Sequence, residues 1–232
     1  MKVLKLGGLE AAVVGPQGDD VPTVVLMHGF GAPGDDLVPL ARVVASEKVR
    51  WVFPAAPLAL ASPFGDARAW WMIDLARLER ELRGGSTASQ SLADGLAAEV
   101  PPGIAAARDR VIRLLDDLDP RGPLILGGFS QGAMLACDVA LHTAIPIAAM
   151  ALLSGALVAE RDWAPRYGSR SGMRALVSHG RQDPILPFTS AERLRLLLQD
   201  SGWNVTWMPF DGGHEIPRPV LAGLAELIDQ VK

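Results

Sequence analysis

A serine flanked by glycines is the residue of this 232-residue sequence with the clearest potential for chemistry. Residues 128–132 read Gly-Phe-Ser-Gln-Gly, directly after the apolar run 124–126 and shortly before an apolar, helix-like segment, 134–141. On so tight a strand-to-helix turn the serine takes strained backbone angles, and side chains two positions away would collide, which explains the glycines. The motif predicts that Ser130 is a nucleophile, raised above a sheet at a helix N-terminus that favours negative charge.

A serine hydroxyl is a weak nucleophile until a base removes its proton, and a carboxylate must orient that base. Where the nucleophile lies on such a turn, the acid and then the histidine follow it in the chain, each on a loop after a later strand. Asp183 lies in a turn after the apolar run 175–178, and His214 follows two glycines after the run 205–210. We therefore expect Asp183 and His214 to complete a catalytic set with Ser130.

Other residues compete for these roles. Asp211 is the rival acid, but it lies on the same loop as the candidate base, three residues away, so Asp183 fits better. The remaining histidines fit the base less well, because they precede the serine, lie on the helix after it or come before the acid: His28, His142 and His179. For the serine motif itself, a glycine-rich packing turn is the alternative interpretation.

A second turn supplies candidate hydrogen-bond donors. Residues 28–31, His-Gly-Phe-Gly, follow the apolar run 24–27 and predict a turn whose backbone N–H groups face the nucleophile. Acyl transfer passes through an oxygen anion, which preorganised N–H donors stabilise. The expected donors are the backbone N–H groups of Phe30 and of Gln131, the residue after the nucleophile. An ordinary turn is the alternative interpretation of the His-Gly pair.

The elements that must position these loops follow an alternating pattern. Short apolar runs, several of them continuous as in strands buried on both faces, alternate with helix-period segments. The runs are 24–27, 49–54, 124–129, 148–153, 175–178 and 205–210. Residues 111–118 and 221–228 each carry one apolar helical stripe. This pattern predicts a single α/β domain over residues 1–232, with a mostly parallel twisted sheet and helices on both faces.

Local signals refine the two ends of this pattern. Residues 3–6 and 11–14 could form an antiparallel hairpin at the sheet edge, turning at two glycines. Thr189 and Glu192 have the spacing of a capping box, which predicts that a helix begins there.

One long segment breaks the alternation. Residues 57–103 contain no convincing strand, although Leu75, Leu78 and Leu82 suggest a short helix. A connection of this length within a domain is usually functional or mobile. We interpret it as a cap over the site, with a surface insertion as the alternative.

The composition limits the partners. With 22 basic and 26 acidic residues the net charge is −4, which offers no basic face for nucleic acid or anionic lipid. Cys137 is the one cysteine, so an internal disulfide is excluded and a reducing compartment is favoured. No secretory signal is evident at the N-terminus, and the apolar stretch 144–159 is too short to span a membrane. We expect a cytoplasmic protein; a homodimer is compatible with the sequence.

Taken together, the motifs resemble the phospholipase/carboxylesterase family, which includes acyl-protein thioesterases and bacterial carboxylesterases. The resemblance is carried by residues 26–31, 53–57, 127–132, 179–184 and 213–215. It implies an α/β-hydrolase fold and hydrolysis of acyl esters or thioesters without a cofactor. It also implies Ser130, Asp183 and His214 as the catalytic residues and Phe30 and Gln131 as the oxyanion donors. A Trp-Phe-Asp motif typical of the family is replaced here at residues 69–74, and the insertion that follows is longer than in the compact thioesterases.

The expected function is therefore a serine esterase acting on small-molecule or lipid acyl esters. The candidate substrate contacts are aromatic or apolar: Trp70, Trp71, Ile185, Leu186 and Phe188. No pattern of metal ligands is present. The alternatives are an acyl-protein thioesterase or lysophospholipase, and a non-enzymatic binding protein with the same fold.

Overall fold

The structure is a computed structural model that describes residues 1–18, 20–44, 48–61, 65–74 and 86–231, the side chains of 86–88 excepted. Its strands are β1 (Lys2–Leu6), β2 (Leu9–Val14), β3 (Thr23–Met27), β4 (Arg50–Pro54), β5 (Leu58–Ala59), β6 (Arg68–Ala69), β7 (Leu124–Phe129), β8 (Ala149–Leu153), β9 (Arg174–Gly180) and β10 (Asn204–Phe210). Its α-helices are α1 (Leu40–Val43), α2 (Ser86–Ala98), α3 (Ile104–Leu118), α4 (Gln131–His142), α5 (Glu160–Trp163), α6 (Phe188–Asp200) and α7 (Arg218–Asp229). A 3₁₀-helix spans Ala164–Arg170.

Eight strands form one sheet in the order β1-β2-β4-β3-β7-β8-β9-β10. The six strands from β4 to β10 in this order are parallel, whereas β2 pairs antiparallel with both β1 and β4. The predicted mostly parallel sheet and the predicted antiparallel hairpin at its edge are both confirmed.

Both faces of the central strands are covered, which explains their continuously apolar sequences. All five residues of β3 are buried. Val25 and Met27 join the apolar layer that includes side chains of α3, α4 and α6. Val24 and Leu26 face the opposite layer, which includes side chains of α7. The sheet is therefore held between two hydrophobic layers, as predicted.

The start of α6 differs from the prediction. Thr189 and Glu192 do not form a capping box at its N-terminus, because the helix begins at Phe188 and no side chain caps it. Pro187 is the N-cap residue, with an extended ψ of 130°. Thr189 consequently lies within the first turn, where it cannot serve as the cap.

The segment predicted to form a cap is partly described. It contains β5 and β6, which pair antiparallel, so two short strands are present where the sequence predicts none. It also contains α2, within the stretch rich in small residues. Leu75, Leu78 and Leu82 lie outside the described residues, so the short helix predicted there stays a prediction.

An ion pair and a backbone hydrogen bond join α2 and the residue after it to neighbouring elements. Arg193 of α6 binds Asp94 of α2 at 3.0 Å and Glu160 of α5 at 2.5 Å. The backbone N–H of Ala159 donates to the carbonyl of Glu99, just after α2, at 2.9 Å. The described part of the segment is therefore packed on the helical layer.

The parallel strands β3, β7, β9 and β10 all end at the same edge of the sheet, and the loops that carry the predicted site residues follow them. This edge is where open α/β sheets place their ligands. Of the helices in the described part of the chain, none has both the length and the apolar character needed to cross a bilayer.

Candidate active site

Ser130 occupies a strained turn between β7 and α4. Its φ of 55° and ψ of −118° lie outside the conformations that a non-glycine residue ordinarily adopts. A hydrogen bond of 2.8 Å from its backbone N–H to the carbonyl of Leu153 fixes the turn to β8. This bond and the close packing of the glycines on either side maintain the strained conformation of Ser130.

The two flanking glycines are required by contacts with the end of β3. A Cβ added to Gly132 would lie 2.0 Å from the carbonyl oxygen of Met27, and one added to Gly128 would lie 2.5 Å from the same atom. A side chain at Gly132 would therefore push α4 away from β3, and one at Gly128, on β7, would collide with both Met27 and Gly132. The glycine spacing read from the sequence reflects this approach of helix and strand.

Asp183 and His214 are brought together by two loops that hydrogen-bond to each other. The strands before them, β9 and β10, are parallel neighbours. Beyond the strands, the N–H of Arg181 donates to Phe210 at 2.8 Å and the N–H of Gln182 donates to Gly212 at 3.0 Å. His214 Nδ1 lies 2.7 Å from Asp183 Oδ2, which is the contact that the sequence predicts for an acid and a base.

Asp183 has further donors that the sequence analysis missed. Its Oδ1 accepts the backbone N–H groups of Ile185 and Leu186 at 2.8 and 2.9 Å. His179 Nε2 lies 3.2 Å from Oδ2, and the His179 side chain is fully buried. The spacing of four residues between His179 and Asp183 was visible in the sequence, but only the folded loop shows that both face inward.

These donors hold the pKa of the Asp183 carboxyl well below its usual range. Burial is the largest influence and would raise this pKa, but it is outweighed by hydrogen bonds from His179 and His214, the charge of His214 and the N–H of Leu186. The carboxylate is therefore ionised at neutral pH. An ionised partner favours a proton on His214 Nδ1, which leaves Nε2 free to act as a base.

The residue before Ser130 contacts this pair. The ring of Phe129, the preceding residue, packs on the His214 ring with centroids 4.7 Å apart. Among the described residues, no hydrogen bond links the Ser130 hydroxyl to His214. Such bonds are often long before substrate binds and tighten in the complex, so the third link of the set stays a prediction.

The rival candidates are engaged elsewhere. Asp211 has a side chain that is 87% exposed and lies 3.7 Å from Arg181. His142 lies at the opposite end of α4 from Ser130, where its Nδ1 is 2.8 Å from the Asp138 carbonyl. Neither residue contacts His214 or Ser130 in the described part of the chain.

His28 has a structural role in the predicted oxyanion loop. The N–H of Ala56 donates to its Nε2 at 3.0 Å, so Nδ1 carries the proton and donates to the Gly29 carbonyl at 2.8 Å. Burial lowers the pKa of His28, which keeps the ring neutral as this pairing requires. The backbone N–H groups of Phe30 and Gln131 donate to no acceptor among the described residues. Their role as oxyanion donors stays a prediction.

Three residues beyond the site place potential metal ligands close together. The ligand atoms of Asp138, His142 and Asp162 lie within 4.8 Å of one another. However, the Asp138 oxygens already accept Trp163 Nε1 at 2.8 Å and Arg108 Nη1 at 3.0 Å. The guanidinium would oppose a cation there, so we interpret the cluster as a hydrogen-bonded network.

A cavity of about 290 Å³ opens beside the site and is lined mainly by apolar side chains. Met134, one turn after Ser130 on α4, contributes to its wall, as do Leu92 and Leu96 of α2. Of the predicted substrate contacts, Trp71 and Leu186 line this cavity. Trp70, Ile185 and Phe188 do not: Trp70 is buried elsewhere, Ile185 is 41% exposed and Phe188 packs against Trp207.

The sequence is similar to those of known proteins. Over residues 9–232 the chain matches the family model described as Phospholipase/Carboxylesterase. Acyl-protein thioesterase 1 of Aspergillus fumigatus (strain ATCC MYA-4609 / CBS 101355 / FGSC A1100 / Af293) is 25% identical over 226 residues, covering 90% of this chain and 87% of that protein. Its counterpart in Cryptococcus neoformans var. neoformans serotype D (strain JEC21 / ATCC MYA-565) is 24% identical over 211 residues, covering 83% and 79%.

Solved structures show the same fold. The crystal structure of esterase PE8 superposes with a TM-score of 0.71 at 27% identity, covering 97% of this chain and 99% of that one. Acyl-protein thioesterase 2 of Zea mays superposes with a TM-score of 0.62 at 20% identity, covering 95% and 97%. From the match along nearly its whole length, the chain belongs to the phospholipase/carboxylesterase family of hydrolases.

Proposed function

We propose that this protein is a serine esterase that hydrolyses carboxylic acid esters through an acyl-enzyme on Ser130. The observation that carries the proposal is the short contact between His214 and the buried Asp183, with the ring of Phe129, the residue before Ser130, packed on the imidazole. A histidine held by an ionised carboxylate next to a strained serine is the arrangement needed to activate a hydroxyl.

In the proposed ester hydrolysis, Ser130 acts as the nucleophile and His214 transfers the proton. As Ser130 Oγ bonds to the acyl carbon, His214 Nε2 takes the hydroxyl proton and the carbonyl electrons move to the oxygen. The tetrahedral intermediate collapses, the alcohol oxygen departs and His214 returns the proton to it. Water then attacks the acyl-enzyme in the same way, which releases the carboxylic acid and restores the serine.

Two backbone donors stabilise the oxygen anion in this scheme. The N–H groups of Phe30 and Gln131 lie on the β3–α1 connection and at the first turn of α4, and neither donates to another described group. Removing one such donor from an acyl-transfer site typically costs about 2.7–4 kcal/mol of barrier. The α4 N-terminus adds a favourable field for the same charge.

The apolar cavity supports a hydrocarbon acyl group. Its lining is mainly apolar and includes Trp71, Leu96, Met134 and Leu186, which suits a hydrocarbon chain. Asp74 and Glu99 also line it, which disfavours an acyl group that carries a negative charge. Each methylene buried there contributes about 0.8 kcal/mol of binding. We therefore assign the cavity to the acyl chain of the ester.

A thioester is the second candidate for the scissile bond. The curated relatives at 24–25% identity are named acyl-protein thioesterase 1, which favours this alternative. Comparing kcat/KM for an oxygen ester and a thioester of the same octanoyl group distinguishes the two, because the acyl pocket and the nucleophile are then constant.

Replacing the nucleophile tests the proposal directly. We expect Ser130→Ala to lower kcat for p-nitrophenyl esters by about 10⁴–10⁶, with the circular dichroism spectrum and the melting temperature close to those of the wild type. The matched control is Ser169→Ala, which alters an exposed serine outside the site and should leave kcat unchanged. Undiminished turnover by purified Ser130→Ala would reject the proposal.

The charge on Asp183 makes a prediction about acid stability. Because its folded-state pKa is depressed below the unfolded value of about 3.9, the carboxylate stabilises the fold fully above about pH 4. This contribution is lost as the pH falls towards the folded pKa. We expect the melting temperature of Asp183→Asn to fall less steeply than that of the wild type below about pH 4, and its kcat to fall by about 10⁴.

The control for this pair of measurements is Asp211→Asn. Asp211 is the rival acid by sequence, but its side chain is largely exposed. Its replacement should change neither kcat nor the acid slope of the melting temperature. Parallel acid slopes for the wild type and Asp183→Asn would contradict the assigned role of the buried carboxylate.

Filling the cavity tests its assignment to the acyl chain. We expect Leu96→Trp to lower kcat/KM for p-nitrophenyl octanoate at least about tenfold, since lost burial of several methylenes at 0.8 kcal/mol each is sufficient. The acetate ester should be affected less than about twofold, because it needs none of that space. Leu196→Trp is the control, since Leu196 lies on α6, is 48% exposed and is not part of the cavity wall. If Leu96→Trp and Leu196→Trp show the same chain-length profile, the acyl chain binds elsewhere.

A further inference from the structure

Trp70 is buried beside the site without lining the cavity. Only 2% of its surface is exposed, and both of its N–H groups are used. The indole N–H donates to the carbonyl of His28 at 3.0 Å, and the backbone N–H donates to Oε1 of Gln131 at 2.9 Å. One residue thus bonds to both loops that carry the proposed oxyanion donors.

The Gln131 side chain also donates a hydrogen bond, to the residue after Trp70. It is fully buried, and its Nε2 donates to the carbonyl of Trp71 at 2.8 Å. Because its two ends bond to groups of opposite polarity on consecutive residues, the amide has one satisfactory orientation. The residue whose backbone N–H is a proposed donor is therefore held by its own side chain.

The strand before Trp70 is hydrogen-bonded to the loop after β3. The N–H of Gly31 donates to the carbonyl of Arg68 at 2.8 Å, and the N–H of Arg68 donates to Ala32 at 3.1 Å. The Trp70 ring also packs on the His28 ring, with centroids 5.6 Å apart. The His28 carbonyl that accepts the indole N–H belongs to the peptide between residues 28 and 29. The Phe30 N–H belongs to the next peptide along the chain.

Burial of a tryptophan in this protein does not itself require such bonds. Trp51 of β4 is equally buried, with 1% of its surface exposed, and its indole N–H has no partner among the described residues. Trp163 and Trp203 are buried with bonded indole N–H groups, but neither bonds to the two loops. What distinguishes Trp70 is that its two N–H groups bond one to each loop.

We propose that Trp70 is a positioning residue that fixes the distance and orientation between the Phe30 and Gln131 N–H groups. The inference rests on the proposed esterase function and deepens it. A donor pair that is already in place when the oxyanion forms needs no reorganisation. If the two N–H groups were less well fixed, the transition state should therefore be affected more than substrate binding. Trp70 acts through its two partners and does not touch substrate.

The test is Trp70→Phe, which keeps an aromatic ring and removes the indole N–H. We expect kcat, normalised by active-site titration with diethyl p-nitrophenyl phosphate, to fall about tenfold, which is part of the 10²–10³ lost when a donor is removed entirely. KM should change less than about twofold, since substrate binding does not depend on the oxyanion. Affinity for an alkyl trifluoromethyl ketone, which forms an oxyanion on adding the serine hydroxyl, should fall by the same factor as kcat.

Two further variants make the result decisive. Trp51→Phe is the matched control: the same substitution at the same burial loses no hydrogen bond and should leave normalised kcat and ketone affinity unchanged. Gln131→Met removes the side-chain amide that bonds to Trp70 and Trp71 but keeps the backbone N–H. It should therefore lower kcat and ketone affinity as much as Trp70→Phe does. Combining it with Trp70→Phe should cost little more than either alone, because both break one network. If Trp70→Phe does not fold, Gln131→Met alone decides.

The inference is overturned if a folded Trp70→Phe or Gln131→Met retains wild-type kcat and ketone affinity. It is also overturned if KM rises as much as kcat falls, because that pattern indicates a damaged pocket. The wild type distinguishes failure of the inference from failure of the proposed function. Tight ketone binding by the wild type supports the esterase chemistry whatever the variants do, and its absence counts against that chemistry itself.

Discussion

The close approach of the β7–α4 turn to the end of β3 is the constraint on which the rest of the site depends. Gly128 and Gly132 both lie against the Met27 carbonyl with no room for a Cβ. This contact brings the first turn of α4 beside the loop that begins at His28. One backbone-to-backbone contact thus determines the positions of the strained serine and of the two candidate oxyanion donors.

The proposed acid and base depend on a different part of the sheet. Two adjacent parallel strands, β9 and β10, end together, and hydrogen bonds between their following loops hold Asp183 and His214 in contact. Even here a glycine is needed, because a Cβ on Gly180 would lie 2.1 Å from the Gly213 carbonyl. The proposed site therefore combines the strained turn at Ser130 with a separately supported Asp183–His214 pair, and the Phe129 ring, next to Ser130, packs on His214.

Signals that are local in sequence predicted the structure well. The six apolar runs became parallel strands with ends shifted by only one or two residues, since burial on both faces leaves a continuous apolar pattern. The contact between Asp183 and His214 could be anticipated because each follows a strand of that sheet. The start of α6 was missed, because Pro187 fixes it before the Thr189 capping signal can act.

Contacts between distant segments could not be read from the sequence. Trp70 looked like a pocket residue by type, but its partner Gln131 is 61 positions away, and only the folded chain shows that the two bond. The role of His179 beside Asp183 was hidden in the same way, since the turn that directs both side chains inward is a property of the folded loop. The cavity wall from α2 likewise depends on where that helix packs.

The most direct test of the account is covalent labelling with a fluorophosphonate probe, followed by mass-spectrometric mapping of the modified peptide. Such a probe reacts with a hydroxyl that a neighbouring base has activated. If His214 activates Ser130, the native wild type should carry a single label on Ser130, His214→Ala should be labelled much more slowly, and the denatured protein should carry no label. Label on a different serine, or labelling of Ser130 at an unchanged rate without His214, would contradict it.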